Sequence, residues 1–358
     1  MDGQGSGARI SFRNDYSEGA HPRLLQALAQ ASAEQHAGYG TDRLSARAAG
    51  LIRTAVAQPH ADVHLLVGGT QTNLIAISAF LRPHQAVIAV EAGHIATHET
   101  GAIEATGHKV LTVPAPYDKL TPALMQPVLE VHSNEHMVQP RLVYISDSTE
   151  SGTIYTHAEL DALSRFCRAN DLLLYLDGAR LGAALTADGN DLDLPTIAAL
   201  TDAFYIGGTK NGALLGEALV IVNPALQADL RYLIKQRGAL LAKGMVLGSQ
   251  FAALFEDGLF FELAAHANTM AQRLRAGLLA AGAHFTSDSR TNQQFIAVSA
   301  QHAAQLAQRY DFERWEVRAD GSHVIRFVTS WATMPEAVDR LCADVAALLQ
   351  GPAVQGHE

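Results

Sequence analysis

The stretch "AFYIGGTKNGALLGEALVIVN", residues 203–223, sets one lysine, Lys210, in a turn of small residues between two apolar runs that read as buried strands. Lysine is seldom buried without a partner, and the Gly-Gly-Thr turn before it offers little bulk to hide it. Lys210 is therefore either a solvated amine at a strand end or an amine placed in a pocket to react with a carbonyl. In open α/β sheets, ligands lie beyond the carboxyl ends of the strands. The polar residues that follow successive apolar runs then share one rim: Gly69, Thr70 and Gln71, His94, Glu150, Asp177 with Arg180, and Lys210.

Each of these has a plain reading beside a chemical one. "GGTQTN", residues 68–73, opens a helix whose free N–H groups would seat a phosphate, although a glycine-rich turn can be no more than a turn. Neither GxGxxG nor GxxxxGK[ST] occurs there, which argues against a dinucleotide or a nucleoside triphosphate. Asp177 in "LYLDGARLGAAL" either caps a helix or pairs with a neighbour, or else keeps a pyridinium nitrogen protonated in a dry pocket. His94 and His98 stand four apart, but Ile95 occupies the glutamate place of HExxH and no third ligand presents itself, so no metal is expected. His94 suits ring stacking or proton transfer, and His98 reads as helix surface. Arg326 in "GSHVIRFVTSW" shares a strand face with Val324 and Val328. It wants a carboxylate, from either an edge-strand salt bridge or a bound substrate.

The elements that must carry this rim are seven short apolar runs, "VHLLVGG", "AVIAVEA", "KVLTVPA", "RLVYISDS", "LLLYLDGAR", "AFYIGG" and "EALVIVN", most of them separated by helical stretches. They predict an α/β fold with a mixed, mostly parallel seven-stranded sheet. The last two runs are too close for a helix between them and predict an antiparallel pair. Thr156 and Glu159 form a capping-box pattern at the start of one helix. From about 224 to 282 the pattern is helical, and the boundary between two units falls within it. The expected division is an N-terminal segment 1–20, a large domain 21–250 and a small α+β domain 251–358, the last with strands at "QQFIAVSA", "RWEVRAD" and "HVIRFVTS".

Composition narrows the function. Of 358 residues, 48% are hydrophobic and 17% charged, within the range of folded globular chains. The net charge of -10 and the lack of basic runs with interleaved aromatics argue against nucleic acid. Two distant cysteines, Cys167 and Cys342, read as core residues of a reducing compartment. No signal pattern or membrane-length apolar run is evident, so a cytoplasmic protein without a membrane partner is expected. The tail "GPAVQGHE" reads as a loosely held end.

A phosphate-type turn, a strand-end Asp177 and a strand-turn Lys210, in that order, are similar to the pyridoxal-phosphate enzymes of the aspartate aminotransferase fold type, fold type I. From "FRNDYSEGAHP" to "IRFVTSW" the chain resembles the L-threonine aldolases of the β-eliminating lyase superfamily, with "LDGAR" the most specific motif. The resemblance implies that pyridoxal 5'-phosphate is the cofactor and that Lys210 binds it covalently. Asp177 would then pair with its pyridine nitrogen, His94 would stack on its ring, and Gly69 and Thr70, next to Gln71, would hold its phosphate. It also implies that Arg180 and Arg326 bind the carboxylate of an amino-acid substrate, with Asn14 where a serine often assists. Lys243 would reach the cofactor phosphate of a neighbouring subunit, implying a homodimer or homotetramer. The implied reaction cleaves threonine, allo-threonine or a related β-hydroxy-α-amino acid to glycine and an aldehyde. Where many members carry "ENTHN", this chain has "DSTESG", and "NDYSEG" replaces "SDTVT", leaving His94 and Glu150 as the candidate bases. A β-elimination or a transamination on the same fold stays open, as does a scaffold that only binds.

Overall fold

Alternate residues of a strand face opposite sides of its sheet, so a sheet covered by helices on both sides needs strands that are apolar throughout. The central strands have that composition. The computed structural model describes residues 9–350; the expected loose tail lies outside them. After β1 (Ile10–Ser11), the seven runs become β2 (Asp62–Leu66), β3 (Gln85–Val90), β4 (Val110–Val113), β5 (Gln139–Ser146), β6 (Leu173–Asp177), β7 (Ala203–Gly207) and β8 (Glu217–Ile221). They form one sheet in the order β2-β8-β7-β6-β5-β3-β4. Its parallel part runs from β7 to β4, while β8 lies antiparallel between β7 and β2. The sheet is thus mixed and mostly parallel, with the expected antiparallel pair at 203–221.

Alternation sorts the two cores. Ile88, Val143, Leu174, Leu176, Phe204, Ile206 and Val220 enter one cluster. Val87, Ala89, Leu142, Tyr144, Tyr175, Tyr205 and Leu219 enter the other. The second face is the more consequential, because three of its members are tyrosines whose hydroxyls reach toward the strand ends.

The helical pattern from 224 to 282 is interrupted. It divides into a turn at Pro224–Leu226 and helices Leu230–Gln236, Met245–Phe255 and Leu259–Ala280. Positive φ at Asp229, Asp257 and Gly258 marks two of the breaks. The capping box at Thr156 and Glu159 is present at the start of helix His157–Ala169.

Beyond this lie β9 (His284–Phe285), β10 (Gln293–Val298), β11 (Tyr310–Asp311), β12 (Glu313–Val317) and β13 (His323–Val328). A four-stranded antiparallel sheet runs β12-β13-β10-β9. Its core joins Leu274, Leu278, Ile296, Phe327 and Val345 to Phe12, and β1 pairs in parallel with β11. The segment just after the N-terminus is therefore tied to the last third of the chain, which carries Asp15 to the rim of the large sheet.

Candidate active site

The carboxyl ends of β5, β6 and β7 open into a cavity of about 280 Å³. Its wall includes Gly69, Thr70, His94, Glu150, Asp177, Arg180 and Lys210, together with Tyr16, Tyr205 and Glu217. Lys210 sits in the turn after β7. Its burial and the neighbouring Arg180 charge push its pKa down, against the pull of Asp15, Glu150 and Asp177. Glu217, at the start of β8, accepts a hydrogen bond from the Gly208 N–H at 3.1 Å. Burial raises its pKa despite Thr209 and Lys210 nearby. Burial thus shifts both the amine and this acid toward their uncharged forms.

Asp177 ends β6 and is only 4% exposed. Its Oδ2 accepts hydrogen bonds from the Tyr144 hydroxyl at 2.6 Å and from Asn73 Nδ2 at 3.0 Å, and its Oδ1 from the Ala179 N–H at 3.0 Å. Burial by itself would raise its pKa; the charge on His94 and bonds from Tyr144, Tyr205 and Asn73 outweigh it, and the carboxyl is held below its usual value. The turn after it admits no bulk: a Cβ at Gly178 would come within 1.9 Å of the Tyr205 carbonyl oxygen. Glycine there lets the β6 turn press against β7, bringing Asp177 and Lys210 to one wall.

Helix Gly69–Phe80 begins at Gly68, in extended backbone, with no side-chain cap on its first turn. Its leading N–H groups meet the cavity at Gly69 and Thr70, which suits an anion. A Cβ at Gly69 would lie 3.0 Å from the Tyr205 hydroxyl, so the glycine keeps the backbone close to the cavity floor.

His94 starts the short helix His94–Thr97, and its Nδ1–H donates a hydrogen bond to Glu99 Oε1 at 2.8 Å. Its ring stacks on His98, centroids 5.4 Å apart at 17°, and His98 stacks in turn on Trp315. Although burial favours neutral imidazole, the Glu99 hydrogen bond and the charges of Asp177 and Glu150 raise its pKa overall, against Lys210. Glu150 comes from the loop after β5.

Arg180 follows Asp177 by three residues and is gripped by Asp15: Nε to Oδ2 at 2.7 Å and Nη2 to Oδ1 at 3.0 Å. Asn292 Nδ2 also donates to Asp15 at 2.9 Å. Burial opposes the charge on Arg180, but Asp15 raises its pKa. The Nη1 corner is left free of Asp15.

Four expected residues do not line this cavity. Asn14 Oδ1 accepts from the Tyr16 N–H at 3.0 Å and the Ser17 hydroxyl at 2.8 Å, shaping its own turn. Gln71 folds back to accept from the Val67 N–H at 3.4 Å. Lys243 is exposed. Arg326 pairs with Glu313, donates from Nη1 to Gln293 at 2.9 Å and lies over the Trp315 ring. Burial and the Arg180 charge push its pKa down.

Several participants carry no sequence signal of their own. Tyr144, Tyr175 and Tyr205 look like strand core, and Asn73 like a helix residue. Glu217 sits in a run read only as a strand. Asp15 and Glu99 had weak cues, each adjacent to a residue already singled out.

A family profile described as "Beta-eliminating lyase" matches residues 12–301. The chain is 34% identical over 346 residues to the low specificity L-threonine aldolase of Pseudomonas sp. (strain NCIMB 10558), covering 94% of this chain and 97% of that one. The corresponding protein of Pseudomonas aeruginosa is 31% identical over 342 residues, with the same coverage. Among solved structures, the Leishmania major threonine aldolase superposes with a TM-score of 0.94 at 51% identity, over 95% of this chain and 99% of that one. A Thermus thermophilus aspartate aminotransferase mutant aligns with a TM-score of 0.72 at 15% identity, over 95% of this chain and 91% of that one, a likeness of fold. The sheet order, the rim it builds and these likenesses agree: the chain belongs to the beta-eliminating lyase family.

Proposed function

We propose that this protein is a pyridoxal-phosphate-dependent aldolase that cleaves L-threonine or related β-hydroxy-α-amino acids to glycine and an aldehyde. The observation that carries this reading is a buried amine of lowered pKa, Lys210, sharing one small cavity with the ionised Asp177 and an uncapped helix N-terminus.

That donor set fits the cofactor. Lys210 would hold the aldehyde carbon, since a depressed pKa keeps a larger share of the amine unprotonated and nucleophilic. Asp177 would face the ring nitrogen, Gly69 and Thr70 the phosphate, and His94 the ring face. When bound, pyridoxal phosphate supplies the electron sink for the carbanion left as Cα–Cβ breaks. The protein's own residues do the rest. The Nη1 corner of Arg180 is available to a substrate carboxylate while Asp15 fixes the rest of the guanidinium. Anchoring the carboxylate there would orient the bonds at the substrate Cα and so select the one that breaks. His94 or Glu150 accepts the β-hydroxyl proton, directly or through water, and the buried floor of tyrosines keeps Asp177 shielded from solvent. Arg326 serves as a second carboxylate anchor once it exchanges Glu313 for substrate.

We infer that the protein acts as a homodimer or homotetramer, a reading supported by Lys243, which is exposed and so placed to meet a neighbouring copy. Light scattering that reads the mass of a single chain would overturn that assembly. For the cofactor site, borohydride reduction of the protein incubated with pyridoxal phosphate should fix the label on the peptide containing Lys210. Lys210→Ala should take no label and lose nearly all threonine cleavage. Labelling elsewhere, or an active Lys210→Ala protein, would refute the assignment.

A further inference from the structure

Glu99 is not among the residues whose types announce chemistry, yet its carboxylate is fully buried beside the cavity. It stands just past helix His94–Thr97, and its Oε1 accepts two hydrogen bonds, from His94 Nδ1 at 2.8 Å and from Asn73 Nδ2 at 2.8 Å. The same Asn73 nitrogen donates to Asp177 Oδ2 at 3.0 Å, while Asn73 Oδ1 accepts from the Tyr175 hydroxyl at 3.1 Å. One buried amide therefore bridges two carboxylates. The other Glu99 oxygen, Oε2, is buried with no hydrogen-bond partner among the described residues.

Such an arrangement costs stability. A buried carboxylate oxygen left unpaired forfeits its hydration, and an apolar side chain would pack this spot at less expense. The compensation is control of His94. A carboxylate only accepts, so the His94 nitrogen facing it must carry the proton. We propose that Glu99 is the positioning residue for His94: it fixes the ring and its Nδ1 proton, so that the Nε2 lone pair is the base for the substrate β-hydroxyl, and Asn73 ties this orientation to Asp177. The inference rests on the aldolase reading and adds to it the choice of His94, held by Glu99, over Glu150.

The other groups that act on His94 are Asp177 and Glu150, which favour its protonated form, and Lys210, which disfavours it; His98 stacks on its ring. Glu99→Gln keeps an acceptor in place and removes one negative charge. His94 should then lose protons more readily. Selective labelling of histidine, with the His94 signal assigned by its loss in His94→Asn, gives the titration by NMR in the purified protein with and without pyridoxal phosphate. The wild-type midpoint should lie above 6.5. In Glu99→Gln it should fall by about 1, a tenfold loss of proton affinity, and Glu99→Asp should recover much of it. The acidic limb of kcat/KM for threonine cleavage should move to lower pH in the same variant, which a role confined to folding would not produce. An unmoved His94 midpoint in Glu99→Gln would overturn the proposal.

The wild-type protein offers a test that needs no variant. Imidazole ¹⁵N shifts above the midpoint should report the Nδ1–H tautomer; the Nε2–H tautomer would overturn the proposal. Either negative result, found in a protein that still releases aldehyde from threonine, would leave the aldolase reading intact.

Discussion

Asp177 illustrates how a single carboxylate is kept charged where burial favours its neutral form. Tyr144, Tyr205 and Asn73 surround it with donors, and His94 adds positive charge, so the carboxylate stays ionised across the neutral range. Asp177→Asn preserves shape and several of these contacts while removing the charge. It should retain the fold by circular dichroism and lower kcat by on the order of 10²-fold, the scale of losing one preorganised electrostatic contact. Normal turnover would make Asp177 structural only. The sequence exposed Asp177 and Lys210 because a charge at the end of an apolar run is conspicuous. It concealed the tyrosines, since a strand tyrosine looks the same whether or not its hydroxyl finds a carboxylate. Arg326 was conspicuous too, and both expectations named a carboxylate for it; the protein's own Glu313 occupies it here.

At the scale of elements, the legible part was the sheet. Seven apolar runs became seven strands because each is too short for a core helix and bounded by turn residues. The pairing of β7 with β8 followed from the nine residues between them, 208–216, which leave no room for a crossover. The breaks in the 224–282 stretch were harder to foresee. At two of them the backbone turns through positive φ at Asp229 and at Asp257 with Gly258, and aspartate in a helical context gives only a faint cue for this. The most specific motif also has its physical reason at this scale. Gly178→Ala would drive a Cβ into the Tyr205 carbonyl, separating the β6 turn from β7. A loss of about 3 kcal/mol or more is expected by chemical denaturation, with cofactor uptake impaired. Unchanged stability would mean that the close approach of these strands does not hold the site together.

For the whole molecule, the site is assembled from distant parts of the chain. Asp15 comes from the N-terminal segment and Asn292 from beside β10, and together they hold Arg180 on the rim of the large sheet. His94, His98 and Trp315 form a stack that links the large sheet's rim to β12, and Arg326 lies over Trp315. We propose that the division into large and small units falls in the helices after 224, with residues near the N-terminus packing against the small unit. No sequence pattern announced those long-range contacts, because each of them joins elements whose own signals are purely local. The family, the fold and the cavity converge on cleavage of a carbon–carbon bond. The direct test is to incubate the purified protein with pyridoxal phosphate and L-threonine and to identify every product by proton NMR. Glycine and acetaldehyde in equal amounts are predicted. Ammonia with a keto acid in their place would contradict the aldolase account and establish elimination.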